Sequence, residues 1–132
     1  MKFMKIFIIL TVVVLVSGCI QRDYHNQNQV DDIAESMLMS INNNNFESFS
    51  SSFSNDMKET FSFDKFDETR ELIFSSSGLY NGTKEMISLT QPPGYSEYIY
   101  SCDFERNKIE FVLSLSNQSY EVEGVYFSAI GS

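Results

Sequence analysis

Few side chains in this 132-residue chain have both the type and the neighbours that chemistry demands. The one histidine, His25, lies in Ile20 to Gln29, a polar stretch rich in Asn and Gln, and reads as a solvated side chain of a tether, neither ligand nor base. A nucleophile therefore lacks an imidazole to activate it. Cys102 sits between Tyr100 and Phe104 in an alternating segment with no cationic neighbour in sequence, the setting of an inert packed thiol. The acids Glu97, Asp103, Glu105, Glu110, Glu121 and Glu123 alternate with apolar residues, so they are expected in water with ordinary acidity, unfit for general acid or base work. "NDMKETFSFDKFDE", residues 55–68, lacks the alternating acids and central glycine of a calcium loop. Neither a glycine-rich phosphate loop nor a zinc-spaced cluster of Cys and His occurs, so no metal or cofactor is expected.

One cysteine stands in a more informative place. Val16-Ser17-Gly18-Cys19 closes an apolar run, Ile6 to Val16, that is interrupted only by Thr11 and preceded by Lys2 and Lys5. This is the charged-then-hydrophobic order of an export signal, and the run is shorter than the roughly 20 residues that a spanning helix needs. The four residues resemble the lipobox of prokaryotic lipoproteins, in which the cysteine sulfur receives a diacylglyceryl group and the chain is cut just before it. Ordinary cleavage and an uncleaved anchor are the alternatives, and a disulfide between Cys19 and Cys102 is the plain rival for both thiols. The lipobox reading divides the chain into a signal peptide at 1–18, a lipid-anchored tether at 19–29 and a folded domain at 30–132. Two acyl chains on Cys19 would hold that domain at the outer face of the cell membrane, where one chain alone binds reversibly.

Charge narrows the partners. Without Lys2 and Lys5, seven basic side chains face 18 acidic ones, a balance of −11. Nucleic acid, which requires clustered Lys and Arg to neutralise phosphates, is not expected, and basic residues cannot supply the membrane attachment.

The elements that must position these groups follow from periodicity. Val30, Ile33, Ala34, Met37, Leu38 and Ile41 recur at helical spacing, with Asp31, Asp32 and Glu35 near the N-terminus, and the helix ends at Asn42 to Asn45, a run suited to left-handed backbone. Phe46, Phe49, Phe53, Met57 and Phe61 then predict a short helix and a second one capped near Ser54 or Asn55. Ser62 can cap a further helix with Phe63, Phe66, Ile73 and Phe74 inward, closed at Gly78. Beyond Gly78 the period becomes two. Ile87 and Leu89 share one face; Tyr98, Tyr100, Cys102 and Phe104 another; then Ile109, Phe111, Leu113 and Leu115; then Tyr120 and Val122, with Gly124 as a bulge. The fold class is α+β, with N-terminal helices packed on one face of a curved antiparallel sheet of about four strands.

Helices followed by a meander resemble the cystatin-like, nuclear transport factor 2-like cone. More narrowly, "MLMSINNNNFESFSSSFSNDMKETF", "SSSGLYNG" and "YEVEGVYFSAI" resemble a family of small exported domains of unknown function. The resemblance covers nearly all of Val30 to Ile130. It implies lone lipoproteins or neighbours of hydrolase domains, without shared catalytic residues.

A cone can enclose a pocket, and Tyr98, Tyr100, Phe104 and Tyr120 are the candidates to line it, although the same rings could simply fill the core. The opposite sheet face mixes Met86, Ser88, Ile99, Ser101, Val112 and Ser114, and would serve a homodimer or stay an ordinary wetted face. Asn81-Gly82-Thr83 and Asn117-Gln118-Ser119 match the glycosylation acceptor pattern, which matters only in a host that glycosylates its exported proteins. The expected function is a lipid-anchored, extracytoplasmic, non-catalytic binding module whose partner is a small apolar ligand or an envelope protein. An isomerase- or hydrolase-type enzyme, which needs an acid or a histidine inside the cone, and a structural envelope component are the alternatives.

Overall fold

The structure is a computed structural model that describes residues 23–129. The expected signal peptide, the expected lipidation site at Cys19 and the first part of the expected tether lie outside the described residues. Among the described residues, four helices, α1 (Gln27–Asn43), α2 (Phe46–Phe49), α3 (Asn55–Thr60) and α4 (Phe63–Ser77), precede four strands, β1 (Tyr80–Thr90), β2 (Tyr95–Phe104), β3 (Lys108–Ser116) and β4 (Val122–Ala129). The strands pair antiparallel in chain order, β1-β2-β3-β4, and the helices cover one face.

Each helix begins where a side-chain oxygen can accept an otherwise orphaned N–H. Asn26 accepts from Gln29 N, Asn45 from Ser48 N, Ser54 from Met57 N and Ser62 from Lys65 N. Asn44 ends α1 in the left-handed region at φ 55°. Gly78 ends α4 at φ 81°, donating its N–H to the Ile73 and Phe74 carbonyls.

Val30, Ala34, Leu38 and Ile41 on α1 and Tyr98, Tyr100, Phe111 and Leu113 of the sheet are buried in one core that also holds Phe49, Phe53 and Phe66. The alternation expected for β2 and β3 is present: even positions of β2 and odd positions of β3 are buried. β4 bulges at Glu123 and Gly124, because Ser114 pairs with Gly124 and Leu115 with Val122.

Four expectations are corrected. Ile87 is an extra residue in β1: Met86 pairs with Tyr100 and Ser88 with Ile99, so the bulge flips the parity. Ile87 is 52% exposed, and Met86 lies on the inner side. Phe63 is exposed in the first turn of α4, where its ring meets that of Phe46 edge to face. The tether ends sooner than residue 29, since Asn26 caps α1 and helix begins at Gln27. His25 is not solvated but buried, for reasons that belong to the site.

Candidate functional site

The inner seam between α1 and the sheet gathers most of the ionisable groups that face protein. His25 lies at the open end of β2 and β3. Its Nδ1 is 2.7 Å from Tyr98 Oη, and its Nε2 lies 2.7 Å from the Ser116 carbonyl and 2.9 Å from that of Ser119. Two carbonyls can only accept, so Nε2 carries the proton and Nδ1 accepts from the Tyr98 hydroxyl. Beside it, Asn26 N–H donates to Tyr120 Oη at 2.8 Å. His25 is thus a clasp that fastens the chain before α1 to the turn between β3 and β4.

One and two turns along α1 from Gln27, Asp31 and Glu35 share one side of the helix, Asp31 facing β2 and Glu35 facing β1. Tyr100 Oη donates to Asp31 Oδ1 at 2.6 Å, and Gln27 Nε2 donates to the same oxygen at 2.9 Å. Tyr80 Oη donates to Glu35 Oε1 at 2.6 Å, and Lys84 Nζ reaches that oxygen at 3.0 Å. Burial, and then the carboxylates they donate to, hold the Tyr80 and Tyr100 phenols well above their ordinary range. Burial also raises Tyr98, helped by the charge of Asp23. Cys102 is free and fully buried, and burial pushes its thiol up to about 12 against the pull of Lys84, the state of an unreactive sulfur.

The sequence assigned acids to water strand by strand and missed these two, because it read Asp31 and Glu35 only as partners of the helix dipole. Their signal was the i, i+4 spacing from Gln27 through Asp31 to Glu35 on the flank of the apolar stripe. Glu97 and Asp103 lie on the outer face, as expected.

The four expected pocket residues are core or clasp. Tyr98, Tyr100 and Phe104 are buried at 3%, 1% and 5% exposure, and Tyr120 packs partly buried over the same core. Tyr100 also borders a shallow depression of about 180 Å³ with Asp31, Lys84 and Met86. Asn81 is exposed in the irregular start of β1, whereas Asn117 is half-buried and its Oδ1 accepts from Ser96 Oγ at 2.6 Å.

A larger depression, about 550 Å³ and open to solvent, lies on the outer face. Tyr95 and Glu97 of β2 and Tyr126 of β4 line it, over Val112 and Ser114 of β3. Tyr126 is 63% exposed. A groove of about 410 Å³ also runs between α4 and β4 over Leu72, Ile73 and Phe127.

Among the described residues, no group of His, Cys, Asp and Glu could hold a metal ion, and no helix is long and apolar enough to cross a membrane. In comparison with known proteins, no curated protein and no solved structure matches. A family model described as protein of unknown function (DUF3887) matches residues 34–125, from α1 to the middle of β4, leaving the His25 clasp and Asp31 outside the matched span.

Proposed function

The chain belongs to the DUF3887 family of proteins of unknown function, and from that premise we propose that it is a lipid-anchored, extracytoplasmic interaction module that binds through the outer face of its sheet. The observation that carries this reading is a contrast of surfaces. The interior is occupied by its own tyrosines, each hydroxyl already engaged with His25, Asp31 or Glu35, while the outer face presents an open depression flanked by Tyr95 and Tyr126. Exposed aromatic rings beside a few polar groups are what protein interfaces use as anchors.

In this reading the fold is a nuclear transport factor 2-like cone. The helix-first meander and the bulges that curve β1 and β4 support that assignment. The cone does not serve as a ligand chamber. Anchoring rests on Cys19 and the preceding Val16-Ser17-Gly18. The enzyme alternative needs an acid or base with a free reacting position, and His25 is committed on both ring nitrogens.

The test is site-specific photocrosslinking in intact membranes, with a benzophenone amino acid at position 126 or at position 72 on α4. A discrete adduct from 126 and none from 72 is expected. The reverse pattern would move the interface to the α4 groove. Native mass spectrometry of the detergent-solubilised protein adds a second readout: a small molecule retained on the folded chain and lost on unfolding would place the ligand inside the cone instead.

A further inference from the structure

Resting on that sheet-face reading, we infer that the outer depression docks a basic, extended segment of a partner protein. Its floor is set by cross-strand rows: Glu97, Ser114 and Gly124 in one, Ile99, Val112 and Tyr126 in the next. Adjacent strands lie about 4.8 Å apart, so β2 and β4 stand about 10 Å apart across β3, a width that suits one extended chain laid along β3. An open trough leaves much of a small ligand in water, whereas pockets for small molecules bury most of it. A segment that belongs to a larger partner does not need that enclosure.

The charge of the trough selects its occupant. Glu97 and Glu123 line it without any Lys or Arg. Glu110 lies four residues along β3 from Ser114, about 13 Å at strand rise, on the same outer face. None of these three carboxylates forms an ion pair among the described residues, whereas Asp103 at the far end is neutralised by Lys108 at 2.8 Å. Lys or Arg side chains on alternate positions of an extended segment would meet these acids and could lay their stems and charge against the Tyr95 and Tyr126 rings.

Gly124 supplies a separate observation. Its φ is not positive, and a Cβ added there would meet Ser114 Oγ at 3.6 Å, an ordinary contact. Neither backbone strain nor packing requires glycine at this position. The missing side chain is what keeps the trough open between Ser114 and Tyr126.

The experiment measures fluorescence anisotropy of three capped nonapeptides, in which threonine alternates with lysine, glutamate or glutamine, against the full chain in non-ionic detergent. Wild type, Gly124→Val and the Glu97→Gln/Glu123→Gln double variant are compared, with the melting temperature of each as the control for folding. The expected result is lysine-peptide binding at least tenfold tighter than either other peptide. That binding should fall at least tenfold in both variants while their melting temperatures stay within a few degrees of wild type. Equal binding of all three peptides, weakened by Gly124→Val, would overturn the basic-segment inference and leave the sheet face as the interface. Lysine-peptide binding that Gly124→Val does not change would reflect diffuse net charge and overturn the basic-segment inference. If no peptide binds, the inference fails, and crosslinking from position 126 separately decides the sheet-face reading.

Discussion

His25 shows how much one side chain can hold when its partners come from distant parts of the chain. It closes one hydrogen bond with Tyr98 and shares one proton between the carbonyls of Ser116 and Ser119, more than ninety residues away. Replacing it with alanine leaves a buried hydroxyl and two carbonyls short of partners, at a cost of about 2–3 kcal/mol. A urea midpoint unchanged in His25→Ala would show that the clasp is not made. The buried phenols set the alkaline limit. Tyr80, Tyr98 and Tyr100 are raised above their ordinary value near 10, and Cys102 rises from near 9 to about 12. The unfolded chain releases these protons first, so their contribution is fully present below pH about 9 and is lost as pH climbs through the folded-state values. Each group removes up to about 1.4 kcal/mol per pH unit in that window. Tyr100→Phe should lower stability at neutral pH by about 1.5–2 kcal/mol, through its lost bond to the Asp31 carboxylate. The same variant should fall less steeply than wild type between pH 10 and 12, as read by denaturant melts across pH.

At the scale of elements, the ends carry as much design as the middles. The last carbonyls of α4 are met by the turn between β2 and β3: Arg106 Nη2 donates to Phe74 O at 2.6 Å, and Arg106 N to Ser77 O at 3.0 Å. Gly78 permits that docking, because a Cβ there would stand 2.8 Å from Glu105 Oε1, which accepts from Leu79 N. Gly78→Ala combines that clash with an unfavourable φ and should cost about 2 kcal/mol, seen as a lower urea midpoint without change of slope. Both sheet edges are covered at one end. The Asn42 amide pairs with both backbone groups of Tyr80 on β1, and Ser52 to Ser54 bridge to Val122 on β4. Much of this layer was legible in the sequence. Ser54, Ser62 and Gly78 announced their helix ends, and the alternation through β2 and β3 announced their buried faces. β1 was not legible, because an inserted residue such as Ile87 reverses parity without leaving a compositional trace. His25 was not legible either, since its burial depends on strand ends that only the fold brings near.

For the whole molecule, the interior is filled by packed and hydrogen-bonded side chains, and the proposed interface lies on the outer face of the sheet. Of the acids expected on the outer face, Glu97, Asp103, Glu110 and Glu123 lie there, and Glu97 and Glu123 line the trough with Tyr95 and Tyr126 and form no ion pair among the described residues. Their meaning as a trough could not be read from one strand at a time, because it arises where β2, β3 and β4 run side by side. Anchoring is tested at the same scale. Cys19→Ala should move the full-length protein from the detergent phase of a Triton X-114 extraction to the aqueous phase, unless the hydrophobic leader is retained. A mass spectrum of the variant's N-terminus separates these outcomes.

The clasp also has a mechanical meaning. Cys19 and His25 are six residues apart, a reach of at most about 20 Å, so a lipid on Cys19 would keep the β3–β4 turn close to the bilayer and turn the Arg106 end outward. Tension between bilayer and partner would enter the fold at His25 and meet its bonds to Tyr98, Ser116 and Ser119 before it reached the helices. Rupture there would let out slack from the N-terminal side while leaving the sheet paired, so the domain would yield first at its mooring.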